Sequence, residues 1–242
     1  MSNYLDDLNS DQKKAAIQID GASMVIAGPG SGKTRVLTYR IAHLLKNQIN
    51  PYNILALTFT NKASKEMRNR IGEIVGESDS KNLWMGTFHS VFSRILRIEA
   101  DKINFPQNFT IYDTIDSKSV IRSIIKDLKL DKDTYKPNEI QNRISLLKNN
   151  FITPEKYKFE DDLIMSDNRS KRPDFSKIYQ MYSNRCFKSA AMDFDDLLLN
   201  TYRILSEEPD VLNKYQKKFH YIMVDEYQDT NHIQYLIIKK LA

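Results

Sequence analysis

Short unbroken apolar runs alternate with stretches of helical period along this chain. Met24-Val25-Ile26-Ala27, Ile54-Leu55-Ala56-Leu57-Thr58-Phe59, Leu83-Trp84-Met85-Gly86 and His220-Tyr221-Ile222-Met223-Val224 have the length and content of strands covered on both faces, as in a parallel sheet. Leu8-Asn9-Ser10-Asp11-Gln12 predicts a helix start with Asn9 or Ser10 as N-cap, and further helices follow over 35–46, over 61–71 and through Val91, Ile95, Leu96 and Ile98. From 109 to 190 only helical periods are visible. One covers 115–128 behind Asp116 as its cap, with apolar residues at 120, 121, 124, 125 and 128. A second is marked by Ile140, Ile144 and Leu147, and a third by Phe175, Ile178, Tyr179, Tyr182, Cys186 and Phe187. The polar stretch 158–170, acidic at first, predicts a mobile linker. Alternation resumes with a capped helix opening at Asp193-Phe194-Asp195-Asp196-Leu197 and, after Pro209, another over 211–219. The expected fold is α/β, a parallel sheet flanked by helices, in segments 1–108 and 191–242 interrupted by an inserted all-helical domain over 109–190.

Composition narrows this little. With 41% hydrophobic and 28% charged residues, the 242-residue chain can bury a substantial core. Its formal net charge of +5 permits a polyanionic partner. Sixteen basic against twelve acidic residues in 109–190 place four of those five charges in the helical insert, where Arg169, Lys171 and Arg172 form the densest basic loop. A solvated face is the default reading of such charge. The single cysteine, Cys186, excludes an internal disulfide and a multi-thiolate metal site. No run approaches a membrane span, and Met1-Ser2-Asn3-Tyr4-Leu5-Asp6-Asp7 lacks the regions of a signal peptide, so a cytoplasmic protein with no membrane partner is expected.

The candidate chemistry lies where predicted strands end. Ala27-Gly28-Pro29-Gly30-Ser31-Gly32-Lys33-Thr34 follows one strand and opens a helix, the context of a phosphate-binding loop, and three of the chain's 7 glycines fall within five of its positions. Small residues let backbone N–H groups close on phosphate oxygens. Lys33 would reach the terminal phosphates and Thr34 would offer its hydroxyl to Mg²⁺. Ala27 stands where the strict pattern has glycine. The last strand ends in Asp225-Glu226-Tyr227-Gln228-Asp229-Thr230-Asn231. There Asp225 would hold Mg²⁺ beside Thr34, and Glu226 would orient or deprotonate an attacking water. Gln228 and Asp229 can bond the γ-phosphate region or relay its presence. The Gln12 amide, which donates and accepts, can match the N6 and N7 edge of adenine. No Asn-Lys-x-Asp guanine reader is visible, because Asn61-Lys62 continues as Ala63-Ser64. After two other strands come Phe59-Thr60-Asn61-Lys62 and Thr87-Phe88-His89-Ser90, where aromatic, hydroxyl and basic groups suit stacking on unpaired bases and contact with phosphates. Taken singly, Phe59 and Phe88 fit a core equally well.

Together these stretches resemble the N-terminal part of the UvrD/Rep/PcrA-like superfamily 1 DNA helicases. The segment Leu8-Asn9…Gln12, the loop Ala27 through Thr34 with Arg35, Leu57-Thr58-Phe59-Thr60-Asn61-Lys62-Ala63 with Met67, and Val224 through Asn231 carry the resemblance. Gly86 through Ser90 and Asp193 through Leu197 support it. It implies a P-loop, RecA-like ATP-binding domain in two segments, interrupted by a helical 1B-like subdomain that approaches duplex DNA. It further implies that Gln12, the 27–34 loop and Arg35 bind ATP, that Lys33, Thr34, Asp225, Glu226 and Gln228 serve hydrolysis with Mg²⁺, and that 59–62 and 87–90 touch single-stranded DNA. Relatives translocate 3′ to 5′. Because the later motifs, the second RecA-like domain and its arginine fingers lie beyond Ala242, this segment alone is expected to hydrolyse ATP negligibly. A nucleotide- and DNA-binding module without motor activity, a phosphotransferase and the helicase part of an AddA/RecB-like helicase-nuclease are the alternatives.

Overall fold

A computed structural model describes residues 4–242; the first three residues of the amino-terminal stretch lie outside the described residues. In chain order the elements are α1 (Ser10–Ile17), α2 (Lys33–Lys46), β1 (Ile54–Thr58), α3 (Asn61–Val75), α4 (Glu77–Asn82), β2 (Trp84–Thr87) and α5 (Phe88–Ile98). Next come β3 (Thr110–Tyr112), α6 (Thr114–Asp127), α7 (Pro137–Asn149), α8 (Pro154–Tyr157), α9 (Asp161–Arg169) and α10 (Phe175–Lys188). The chain closes with β4 (Ala191–Asp193), α11 (Phe194–Glu207), α12 (Pro209–Lys218), β5 (Tyr221–Val224) and α13 (His232–Leu241). Contacts divide it into two units, one of residues 1–91, 212–230 and 238–242, the other of 92–211 and 231–237.

The first unit is built on a parallel sheet of order β2-β1-β5. All five residues of β1 are buried, as its unbroken apolar run requires of a central strand. Leu57 stands opposite Gly86 on one side and Val224 on the other, so the three strands end together. One face of the sheet carries Ile54, Ala56, Met85 and Met223, packed by Ile41, Leu44 and Leu45 of α2 and Met67 and Ile71 of α3. The helices sit there because each has an apolar stripe of that period. Below β2, Trp84 packs edge-on against Phe219 with ring centroids 5.3 Å apart.

Met24-Val25-Ile26-Ala27 is not a strand, contrary to expectation. Met24, Val25 and Ile26 are exposed, and no strand among the described residues pairs with the run. Apolarity alone does not make a strand; its N–H and C=O groups need a ladder partner.

The second unit is helical around a buried cluster of Ile121, Ile124, Ile125, Ile140, Ile144, Tyr157, Phe175, Tyr179 and Tyr182. It departs from the expected all-helical insert in three respects. Three-residue strands β3 and β4 pair in parallel, Ile111 opposite Met192. The unit also extends to 92–211, because α11 packs on α7 and β4 rather than belonging to the sheet unit. The stretch expected to be a mobile linker contains α9, pinned because Asp167 is buried and accepts hydrogen bonds from Arg143 (2.9 Å) and Tyr157 (2.7 Å). The cap of α6 is Asp113, with Asp116 completing a capping box from three residues on. Among the described residues no helix is long and apolar enough to cross a membrane.

Candidate active site

Parallel strands deliver their C-terminal ends to one edge of a sheet, so the segments after β1, β2 and β5 are neighbours by topology. These are the 59–62, 87–90 and 225–229 stretches. The Asp225 N–H still donates to the Leu57 carbonyl (2.9 Å), extending the ladder one residue past β5 and fixing where that carboxylate emerges.

The phosphate loop is a tight turn closed by Ser31, whose N–H (3.3 Å) and hydroxyl (2.7 Å) both donate to the Gly28 carbonyl. Gly32 caps α2 at φ 85°, and a Cβ there would lie 2.9 Å from Gln12 Nε2, so both conformation and space call for glycine. Nothing lies within 4 Å of a Cβ built on Gly28 or Gly30, which leaves the concave side open. With no acidic residue in its first turn, α2 presents an uncompensated N-terminus to that opening. Lys33 Nζ bends over the loop, donating to the carbonyls of Ala27 (3.1 Å) and Gly28 (3.3 Å). Pro29 is exposed at the tip.

Gln12 holds this loop from the side. Asn9, the observed N-cap of α1, forms a capping box with Gln12, whose Oε1 accepts from the Asn9 N–H (3.1 Å) while Nε2 donates to the Ser31 carbonyl (2.9 Å). A primary amide has two N–H groups and two lone pairs, so one of each stays available to a base. Arg35 lies over the Tyr39 ring at 5.7 Å, and Tyr39 donates to Asp7 (2.8 Å).

Across the site, the Thr34 hydroxyl stands 3.2 and 3.4 Å from the two Asp225 carboxylate oxygens, bringing together residues 191 positions apart. Burial pushes the Asp225 carboxyl up; Thr34 and Lys33 pull it down, and Glu226 adds to the rise. A buried carboxylate beside a hydroxyl is a hard-oxygen pair of the kind that holds Mg²⁺, which keeps water and phosphate in its remaining positions. Glu226 follows in the left-handed region at φ 48°, a strained setting for a non-glycine residue. Gln228 Nε2 donates to its carboxylate at 2.6 Å, fixing the candidate base.

The two stretches expected to touch nucleic acid double as helix caps. Thr60 caps α3 by accepting from Ala63 N–H (3.1 Å), and Thr87 accepts from Ser90 N–H (3.3 Å) in the first turn of α5. Asn61 and Lys62 are exposed. Phe88 is buried, at 1% exposed, and half-buried Phe59 packs on it with ring centroids 5.5 Å apart. His89 is half-buried and Ser90 exposed, with the Ser90 hydroxyl donating to the Thr87 carbonyl (2.9 Å). Sequence reasoning missed the hold of Gln12 on Ser31 and of Gln228 on Glu226. The capping-box spacing of Asn9 and Gln12 was the available signal for the first.

A phosphate loop on a helix N-terminus, facing an acidic strand end across a parallel sheet, defines a phosphate-loop nucleotide-binding domain. Residues 8–242 match the UvrD/REP helicase N-terminal domain, and the chain belongs to that family. It is 44% identical over 248 residues to the ATP-dependent DNA helicase PcrA of Staphylococcus epidermidis and 43% identical over 243 residues to that of Staphylococcus aureus. Each alignment covers 100% of this chain and 32% of the relative, so the chain spans about a third of the length of the curated relatives it matches.

Proposed function

We propose that this chain is the ATP-binding part of a DNA helicase that couples ATP hydrolysis to 3′-to-5′ movement on single-stranded DNA and to duplex opening, in repair or replication, in the cytoplasm with the nucleoid. The observation that carries the reading is the approach of Thr34 to Asp225 beside the Lys33 loop. Small loop residues, Lys33 and the α2 N-terminus bind the phosphates, Gln12 and Arg35 meet the adenine nucleoside, and Thr34 and Asp225 hold Mg²⁺. When bound, Mg²⁺ neutralises charge developing on the phosphates. Glu226, oriented by Gln228, takes the proton of the attacking water.

The DNA surface comprises Phe59, Thr60, Asn61 and Lys62 with Thr87, His89 and Ser90, over Phe88 as a support. Two capped helix N-termini there favour a phosphate backbone, and Phe59 offers an aromatic face. The partners are single-stranded DNA, its junctions with duplex, and the remainder of the same protein, whose second RecA-like domain supplies arginine fingers. An arginine finger is worth about 10³ to 10⁵ in turnover, so this segment alone hydrolyses ATP at a correspondingly low rate.

The test is ATP hydrolysis by the complete gene product with and without single-stranded DNA, with Glu226→Gln as the blank. DNA stimulation that vanishes in the blank, by about 10² to 10⁴-fold, is expected. Turnover indifferent to DNA would favour a phosphotransferase. No turnover would favour a binding module.

A further inference from the structure

We propose that Asn231, Asn149 and Asp195 form a positioning relay through which the 225–230 loop, once ordered by nucleotide, tightens the end of α7 and the first turn of α11; this rests on the nucleotide reading of the site. The unit boundary falls between Thr230 and Asn231. Immediately past it, Asn231 does two things. Its Oδ1 accepts from the Gln234 N–H (2.9 Å) while Gln234 Oε1 accepts from the Asn231 N–H (3.0 Å), a reciprocal cap on α13. Its Nδ2 donates to Asn149 Oδ1 (3.2 Å) at the last residue of α7. Asn149 Nδ2 in turn donates to Asp195 Oδ1 (2.8 Å) and to the Ser145 carbonyl (2.9 Å). His232 adds an edge contact with Phe151 (6.2 Å), which packs on Tyr202 of α11 (4.6 Å).

The link from Glu226 to Asn231 has little slack. Asp229 N–H donates to the Glu226 carbonyl (2.9 Å), and Thr230 returns both its N–H (3.2 Å) and hydroxyl (2.8 Å) to the Tyr227 carbonyl. A bonded turn passes a displacement on where a flexible tether would absorb it. The relay also has a direction. A carboxylate only accepts, so Asp195 fixes the Asn149 amide with its nitrogen inward and its oxygen toward Asn231.

That polarity supplies the test. Asn231→Asp keeps the cap on α13 but sets an acceptor against Asn149 Oδ1; adding Asp195→Asn lets the Asn149 amide turn over and restores the two relay bonds in reverse, its bond to the Ser145 carbonyl giving way to one from the nearby Ser145 hydroxyl. Hydrogen–deuterium exchange of this chain is measured with and without Mg-ATPγS. In the parent, nucleotide should slow exchange at 27–35 and 225–230 and also at 145–150 and 194–198. Asn231→Asp should keep the first pair and lose the second, and Asn231→Asp/Asp195→Asn should regain it. A merely structural role would raise exchange equally in both ligation states. Unchanged slowing at 145–150 in Asn231→Asp, no regain in the double variant, or slowing of 27–35 without 145–150 in the parent would each overturn the relay alone. No slowing at 27–35 in the parent would overturn the nucleotide reading as well.

Discussion

Replacing Lys148 by methionine removes one charge from the interior of the helical unit and leaves two. Lys148 Nζ lies 2.6 Å from Asp193 Oδ2 and 2.7 Å from Asp196 Oδ1, and the residue is 2% exposed. Tyr182 donates its hydroxyl to the same Asp193 oxygen at 2.7 Å. Burial pushes the Asp196 carboxyl up to about 7, and neighbouring Asp193 adds to the rise. Burial also presses upward on Asp193, yet Lys148 holds it below the usual range. Breaking a buried ion pair by removing one partner costs about 3 to 5 kcal/mol, because the desolvated charge that remains has no partner. Lys148→Met should therefore lose about that much at pH 8. A carboxyl whose folded pKa is raised keeps its proton where the unfolded chain has released it, so its contribution falls as pH climbs from the ordinary carboxylate value toward the raised one. Without the lysine the carboxyls rise further, the unfavourable window extends upward, and the deficit is larger at pH 8 than at pH 5. Urea unfolding followed by the near-ultraviolet signal of the core tyrosines measures both. A loss below about 1 kcal/mol at pH 8, or equal losses at the two pH values, would refute the argument.

Three further outcomes follow from the site. Lys33→Ala should weaken Mg-nucleotide binding about 10- to 100-fold, the worth of a charge-assisted contact of about 1.5 to 3 kcal/mol, read by calorimetric titration. Phe59→Ala should weaken binding of a single-stranded oligonucleotide by about 1 to 3 kcal/mol with the melting temperature nearly unchanged; collapse of the fold would instead assign the ring to the core with Phe88. Gly32→Ala, strained at φ 85° and pressed against Gln12, should destabilise by about 1 kcal/mol or more and reduce nucleotide affinity, and Gln12→Ala added to it should relieve the steric part.

The sheet was legible because β1, β2 and β5 are continuous apolar runs that no helical period explains, and the candidate site could be located because each run leads into chemistry-bearing residues. What escaped has a common cause in distance along the chain. Lys148 reads as one more basic residue on a helix, and only folding sets it against carboxylates 45 and 48 positions away. The spacing of Asp193 and Asp196 announced a cap but not a buried cation between them. Strands of three residues, such as β3 and β4, are too short for a period and exist through their pairing. The polarity of 158–170 concealed α9, because the buried carboxylate that anchors it, Asp167, is matched by Arg143 from another helix. Phe59 and Phe88 occupy equivalent positions after neighbouring strands, yet one ring covers the other, an ordering no sequence pattern states.

The exposed run Met24-Val25-Ile26 bears on how the polypeptide behaves in a tube. Three consecutive exposed apolar side chains on backbone with no ladder partner among the described residues form a docking strip for a strand that comes near, above all the same strip on a second molecule. Concentrated solutions of this chain should accordingly thicken into β-rich oligomers that bind thioflavin, and a lysine substituted for Ile26 should delay their appearance while leaving the helical unit's melting behaviour as it was.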